Sequence, residues 1–218
     1  MNPRLAWLVP VATLATIGCF GGDKEVDLPP GLASFVCVAG DLPGDYLQQT
    51  EGDFSRDDLA GLAANADQRQ AELKAAGLLG GHFNYWKQAV GEPPFAPPLD
   101  IVCQVMAFST EAQASKFVAA LRADAADLAT TGITWLPAGA RSVVEEHSGV
   151  ESLPRGSRAF RIEAEDSHLR VTLYAVVMPS KANVQTVYIG NRNGAASLTD
   201  AVGIAKKLAE RPAPSAAK

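Results

Sequence analysis

From Arg158 to Ile189 the chain reads RAFRIEAEDSHLRVTLYAVVMPSKANVQTVYI, and this stretch decides the fold. Phe160, Ile162 and Ala164 alternate with Arg161, Glu163 and Glu165, the period of a strand with one wet face. Leu169, Val171, Leu173, Ala175 and Val177 make the inner row of a second strand, and Val184 to Ile189 makes a third. The breaks between them, Glu165-Asp-Ser167 and Pro179-Ser-Lys181, are turn clusters too short for a crossover. Strands joined that way run antiparallel.

Upstream, short strands are expected at Ile133–Trp135 and Ser142–Glu146. Ile101 to Phe108 is apolar on both faces and reads as a central strand. His82 to Val90 is a strand rich in aromatics, and the four prolines between Gly91 and Pro98 make the connection a loop. Asp45 to Thr50 is another strand; Leu32 to Ala39 fits a strand or a short helix equally.

Three helices interrupt this pattern. Ser55 and Asp58 have capping-box spacing before Leu59, Leu62, Ala63, Ala66 and Leu73, a stripe that runs to Gly77. Thr110 and Gln113 open a second helix carrying Ala114, Phe117, Val118, Leu121, Ala125 and Leu128. Ser197 and Asp200 open the last, with Lys206, Lys207 and Arg211 in its final turn, where the helix dipole favours cations. The fold class is therefore α+β: a twisted, mainly antiparallel sheet with amphipathic helices packed on one face.

The N-terminus carries a different message. Arg4 precedes an apolar run from Leu5 to Ile17, and Gly18-Cys19 follows. A positive start, a short apolar core and a small residue make an export signal, too short to span a bilayer. Thr16-Ile-Gly-Cys19 resembles the bacterial lipobox, with Thr16 where Leu is usual. That resemblance implies diacylation of Cys19 and a stable lipid anchor on the extracytoplasmic side of a membrane. The expected organisation is a lipoprotein signal peptide over 1–18, a tether over 19–30, one α+β domain over 31–211, and a disordered tail over 212–218.

Export also bears on the two remaining cysteines, Cys37 and Cys103. They either bridge, as an oxidising compartment permits, or lie buried as small apolar thiols. No second Cys or His stands two to five residues from either, so a metal site is not expected. The net charge of −5 becomes more negative once Arg4 leaves with the signal, which argues against nucleic acid as a partner.

Asp41-Leu-Pro-Gly-Asp-Tyr46, Gly81-His-Phe-Asn-Tyr85 and Val102-Cys-Gln-Val-Met-Ala-Phe108 are similar to uncharacterised bacterial lipoproteins with a DLP-x-G-aromatic opening. Leu153 to Phe160 looks like a short Gly-Asp-x-Ser turn of that group, with its Asp absent. The layout from about residue 30 to 211 distantly resembles the extracytoplasmic sensor domains of actinobacterial Ser/Thr kinases. The resemblance implies an architecture and a location, and no catalytic residues.

The chemistry-bearing residues are sparse. His82, His147 and His168 stand apart and read as strand or turn residues. In Glu145-Glu-His147 neighbouring side chains point to opposite faces, so the three do not converge. Ser157 lacks a nucleophile-elbow frame, and Gly190-Asn-Arg-Asn-Gly194 lacks the lysine of a phosphate loop. No catalytic residue, metal or cofactor is assigned. The expected function is a non-catalytic ligand- or partner-binding or sensing domain, with Tyr85, Trp86 and Trp135 as candidate lining of a concave face. The partners expected are the membrane, through the lipid, and a small ligand or envelope component. The alternative is an envelope hydrolase whose carboxylates are brought together by folding.

Overall fold

A computed structural model describes residues 28–61, 63, 65–89, 99–123, 128, 141–165, 170–192 and 196–211. The export signal, Cys19, most of the tether, the Gly91–Pro98 loop, the expected Ile133–Trp135 strand, His168 and the tail lie outside these residues.

The strands are β1 (Tyr46–Ser55), β2 (Leu78–Gln88), β3 (Asp100–Phe108), β4 (Arg141–His147), β5 (Arg158–Glu165), β6 (Arg170–Ser180) and β7 (Asn183–Arg192). They form one seven-stranded sheet in the order β1-β2-β3-β7-β6-β5-β4, antiparallel throughout. The chain builds inward from one edge through β3, crosses to the far edge, and meanders back until β7 closes against β3. Val102 faces Tyr188 across that seam.

The helices are α1 (Arg56–Gly61), α2 (Ala66–Ala75), α3 (Glu111–Ala120) and α4 (Leu198–Glu210). The stripe expected as one helix from Ser55 to Gly77 is two. Ser55 and Asp58 do form their reciprocal box, Ser55 N–H donating to Asp58 Oδ2 at 2.7 Å. Asn65 then caps a fresh start by accepting from Gln68 N–H at 3.1 Å. An Asn side chain competes with the helical backbone for its donors, so it restarts a helix more readily than it continues one. Similarly, α3 stops at Ala120, because Leu121 leaves helical geometry at ψ 133°. Arg158 fastens that end: its guanidinium donates to the Val118 carbonyl at 3.3 Å and to the Leu121 carbonyl.

Helices cover both faces of the sheet, which corrects the expectation of one. On the first face α1, α2 and α3 place Leu59, Leu73, Ala114 and Val118 against Phe83, Val102, Met106, Ile162 and Leu173. On the second, α4 sets Ala201, Ile204, Ala205 and Leu208 against Ile101, Val105, Val176, Val187 and Ile189. The reason is in the central strands. In β3, β6 and β7 the apolar residues fall on both parities, and a strand apolar on both sides needs both sides covered. We call these the helical face and the strap face.

The strap is the segment from Leu32 to Leu42. Of the two expected forms, strand or short helix, it takes the helical one as two 3₁₀ turns, Leu32–Phe35 and Ala39–Asp41, joined by extended residues. Outside regular structure its carbonyls need partners, and side chains from the sheet and α4 supply them. Arg211 Nη1 donates to Ser34 O and Val36 O, each at 2.8 Å. Gln185 Nε2 donates to Phe35 O at 2.9 Å and Asn84 Nδ2 to Cys37 O at 2.6 Å. Lys207 Nζ reaches Gly40 O at 3.2 Å and Asp41 O at 2.8 Å, and Arg211 also pairs with the Asp41 carboxylate. Within this clasp Cys37 is bonded to Cys103 of β3, with Cα atoms 5.6 Å apart and both residues buried.

Candidate ligand-binding site

β3 is hydrophobic along almost its whole length, and Gln104 interrupts it. Gln104 stands on the helical face between Phe83 of β2 and Thr186 of β7, its direct cross-strand neighbours. It is 1% exposed and Thr186 is 0% exposed. Neither the Gln104 amide nitrogen, nor its oxygen, nor the Thr186 hydroxyl has a hydrogen-bond partner among the described residues. A buried polar group left unpaired costs about 1–3 kcal/mol, and buried polar atoms in folded proteins are nearly always satisfied. Three such atoms stand side by side and supply both donors and acceptors.

α1 and α2 make one group over β1 and β2, while α3 covers β3, β6 and β7 and with them the Gln104–Thr186 pair; the two groups stand on the same face. They touch at one end: Ser109 donates from its backbone N–H at 2.9 Å and its hydroxyl at 3.2 Å to Gly77 O. Gly77 needs its lack of a side chain there, because φ is +80° and a Cβ would fall 2.3 Å from Gln113 Nε2. Along the sheet from the pair are two phenols on the same face. Tyr85 donates to Asp100 Oδ1 at 2.7 Å, and the Tyr188 hydroxyl donates to Leu128 O at 3.4 Å. The result is a polar stripe along an apolar face of the sheet.

The other sequence candidates are scattered. Tyr85 and Trp86 lie on opposite faces, since they are adjacent in β2, so they do not line one concavity; Trp135 is outside the described residues. Glu145 and His147 share a face, 4.0 Å apart, with Arg161 Nη1 3.4 Å from the same Glu145 oxygen. Glu146 points the other way and is held by Arg158 through two bonds of 2.7 Å. Those bonds hold the Glu146 carboxyl below its ordinary value, which suits an ion pair and not a general acid. The Ser157 hydroxyl is spent on Pro154 O at 2.6 Å.

On the strap face, His82 Nδ1 lies 2.7 Å from Asp53 Oδ1, and its Nε2 is buried without a partner among the described residues. An acid–imidazole pair of this kind orients a base, yet no hydroxyl or thiol nucleophile among those residues is bonded to Nε2. Toward the other end of β1, burial pushes the Tyr46 phenol up to about 12, with Asp200 and Asp100 adding to the shift. It therefore stays a proton donor at any physiological pH. Among the described residues no three His, Cys, Asp or Glu side chains gather as a metal would require, and no helix is long and apolar enough to cross a membrane.

Sequence reasoning missed Gln104 and Thr186. Their signal was present: a lone amide in Val102-Cys-Gln-Val-Met-Ala-Phe108, and a hydroxyl in Val184-Gln-Thr-Val-Tyr188. What sequence lacked was the register that sets them side by side.

No family model matches the chain, and no curated protein matches it. Among solved structures, the extracellular domain of PknH from Mycobacterium tuberculosis is similar in fold, with a TM-score of 0.54 at 11% identity. The match covers 85% of this chain and 96% of that one. It extends over nearly all of the α+β architecture and concerns the fold.

Proposed function

We propose that this protein is an extracytoplasmic, non-catalytic binding or sensing domain, tethered to a membrane by lipid on Cys19, with its ligand seated over Gln104 and Thr186. The observation that carries the binding role is the unpaired amide–hydroxyl pair set among the apolar side chains of the helical face. Evolved cores rarely keep such a group without use for it. The donor-and-acceptor character of the pair suits a small neutral polar ligand, such as an amide or a polyol. The extracytoplasmic placement is supported by the export signal and by a fold similar to that of an extracellular domain.

The Gln104→Leu variant tests the seat. Removing an unsatisfied amide while keeping its bulk is expected to raise the stability of the ligand-free chain by about 1–3 kcal/mol. Native mass spectrometry of the full chain taken from its own envelope is expected to show a bound small molecule that Gln104→Leu lacks. A variant that is less stable and carries the same bound mass would refute the seat.

Cys19→Ser tests the anchor separately. It is expected to abolish incorporation of labelled fatty acid and to release the folded domain from the membrane fraction once the signal is cut. Unchanged labelling would place the lipid elsewhere or remove it from the account.

A further inference from the structure

At the far end of the strap face a cavity of about 220 Å³ opens between the first 3₁₀ turn, the β6–β7 hairpin and the end of α4. Its polar lining is Ser34, Ser180, Lys181, Gln185 and Arg211, over an apolar floor that includes Phe35, and no acidic side chain lines it. We propose that this cavity binds a phosphate group, with Lys181 and Arg211 as its charge partners and the Ser180 hydroxyl and the second N–H of the Gln185 amide as further donors.

Two observations beyond the lining point there. The first is the conformation of Lys181. It occupies the first position of a two-residue hairpin connection between the paired residues Ser180 and Asn183, at φ +53°. Hairpins give such positions to Gly or Asn, because a side chain with a Cβ is strained in left-handed geometry. Lys181 is the one non-glycine residue at positive φ among the described residues. Strain kept at a single charged residue on the rim of a cavity is what a binding role would preserve.

The second is charge. The chain carries a net −5, so its mean surface repels anions. Around this cavity the balance reverses. Arg211 is partly neutralised by Asp41, but Lys207 stands beside it on the Gly40 and Asp41 carbonyls. Lys181 has no carboxylate partner among the described residues. These cations more than offset the half negative charge at the end of α4. Arg211 is also held rigid by the Ser34 and Val36 carbonyls, which leaves its remaining N–H groups preorganised for an oxyanion.

A phosphate could come free from solution or on a lipid headgroup. Ser34 follows Cys19 by 15 residues, so the cavity lies within about 50 Å of the expected anchor at full extension. The site is independent of the seat at Gln104, on the opposite face of the sheet.

The experiment is calorimetric titration of the full chain in neutral detergent with inorganic phosphate, and separately with water-soluble dihexanoyl phosphatidylglycerol or dihexanoyl phosphatidylcholine. Lys181→Asn is compared with Lys116→Asn, a control on the exposed side of α3. Saturable binding is expected in the parent chain and in Lys116→Asn. Lys181→Asn is expected to bind about tenfold more weakly and yet to melt at a higher temperature, because Asn relieves the strain. That opposed pair of shifts is what a purely structural lysine would not give. Binding of inorganic phosphate supports a free ion; binding of phosphatidylglycerol alone supports a headgroup. Binding of neither overturns the proposal, as does equal binding by both variants.

Discussion

Removing the Cys37–Cys103 bond, by Cys37→Ala with Cys103→Ala, is expected to lower stability by about 4 kcal/mol on the loop-entropy account. The residues are 66 apart in sequence, so the bond closes a loop containing the second half of the strap, β1, α1, α2 and β2. A loop that long has much freedom to recover in the unfolded chain, which is why the expected loss is large. Part of the native structure goes too. The strap has no ladder of its own, and its turns rest on side-chain bonds from Asn84, Gln185, Lys207 and Arg211. Bonds of that kind contribute about 1 kcal/mol each, and only while the segment stays in place. Urea unfolding of parent and double variant checks the figure. Because both cysteines are buried, reductant should act on the folded protein only as fast as the strap opens. A loss under about 1 kcal/mol would mean that the side-chain clasp alone holds the segment.

Gly81→Ala is expected to destabilise by about 3 kcal/mol or more, while the same substitution at Gly203 is expected to stabilise. A Cβ on Gly81 would fall 2.1 Å from the Val105 carbonyl oxygen and 2.3 Å from Phe54 Cζ. The carbonyl belongs to central strand β3 and cannot retreat without breaking its own ladder. Phe54 is 1% exposed and equally confined. Gly203 sits within α4, and a methyl group added there would meet nothing within 4 Å. At that position Ala gains about 0.5–1 kcal/mol by reducing the freedom of the unfolded chain. Paired melting curves read both signs at once. If the two variants shift together, the packing account of β2 against β3 fails.

Most of the sheet was legible because its strands announce themselves locally. The alternation in Arg158–Glu165 matches β5 residue for residue, and the double-sided apolar run at Ile101–Phe108 is the central strand β3. Helix starts were legible for the same reason: Thr110 and Ser197 accept from Gln113 and Asp200 N–H at 3.2 and 3.4 Å, as capping spacing requires. What local pattern could not carry was allocation between the faces. Leu198, Ala201, Ala205 and Leu208 declare an apolar stripe but not which side of the sheet receives it. The strap was opaque for a related reason. Its regularity comes from Arg211, Gln185 and Asn84, residues 47 to 177 positions away, and not from its own pattern. The candidate seat depends on the pairing of Gln104 with Thr186, a register that exists only once β7 has closed against β3.

The covalent link at Cys37 also governs how the domain would carry a mechanical load. β1 is both the first strand and an edge strand, paired on one side only. Tension drawn through the N-terminal residues of such a domain would ordinarily peel that edge, opening one hydrogen bond at a time. Here the pull meets Cys37 before it reaches Tyr46 and passes to β3, which is paired on both sides. The weakest strand is thereby relieved of force, and the domain is gripped by its middle.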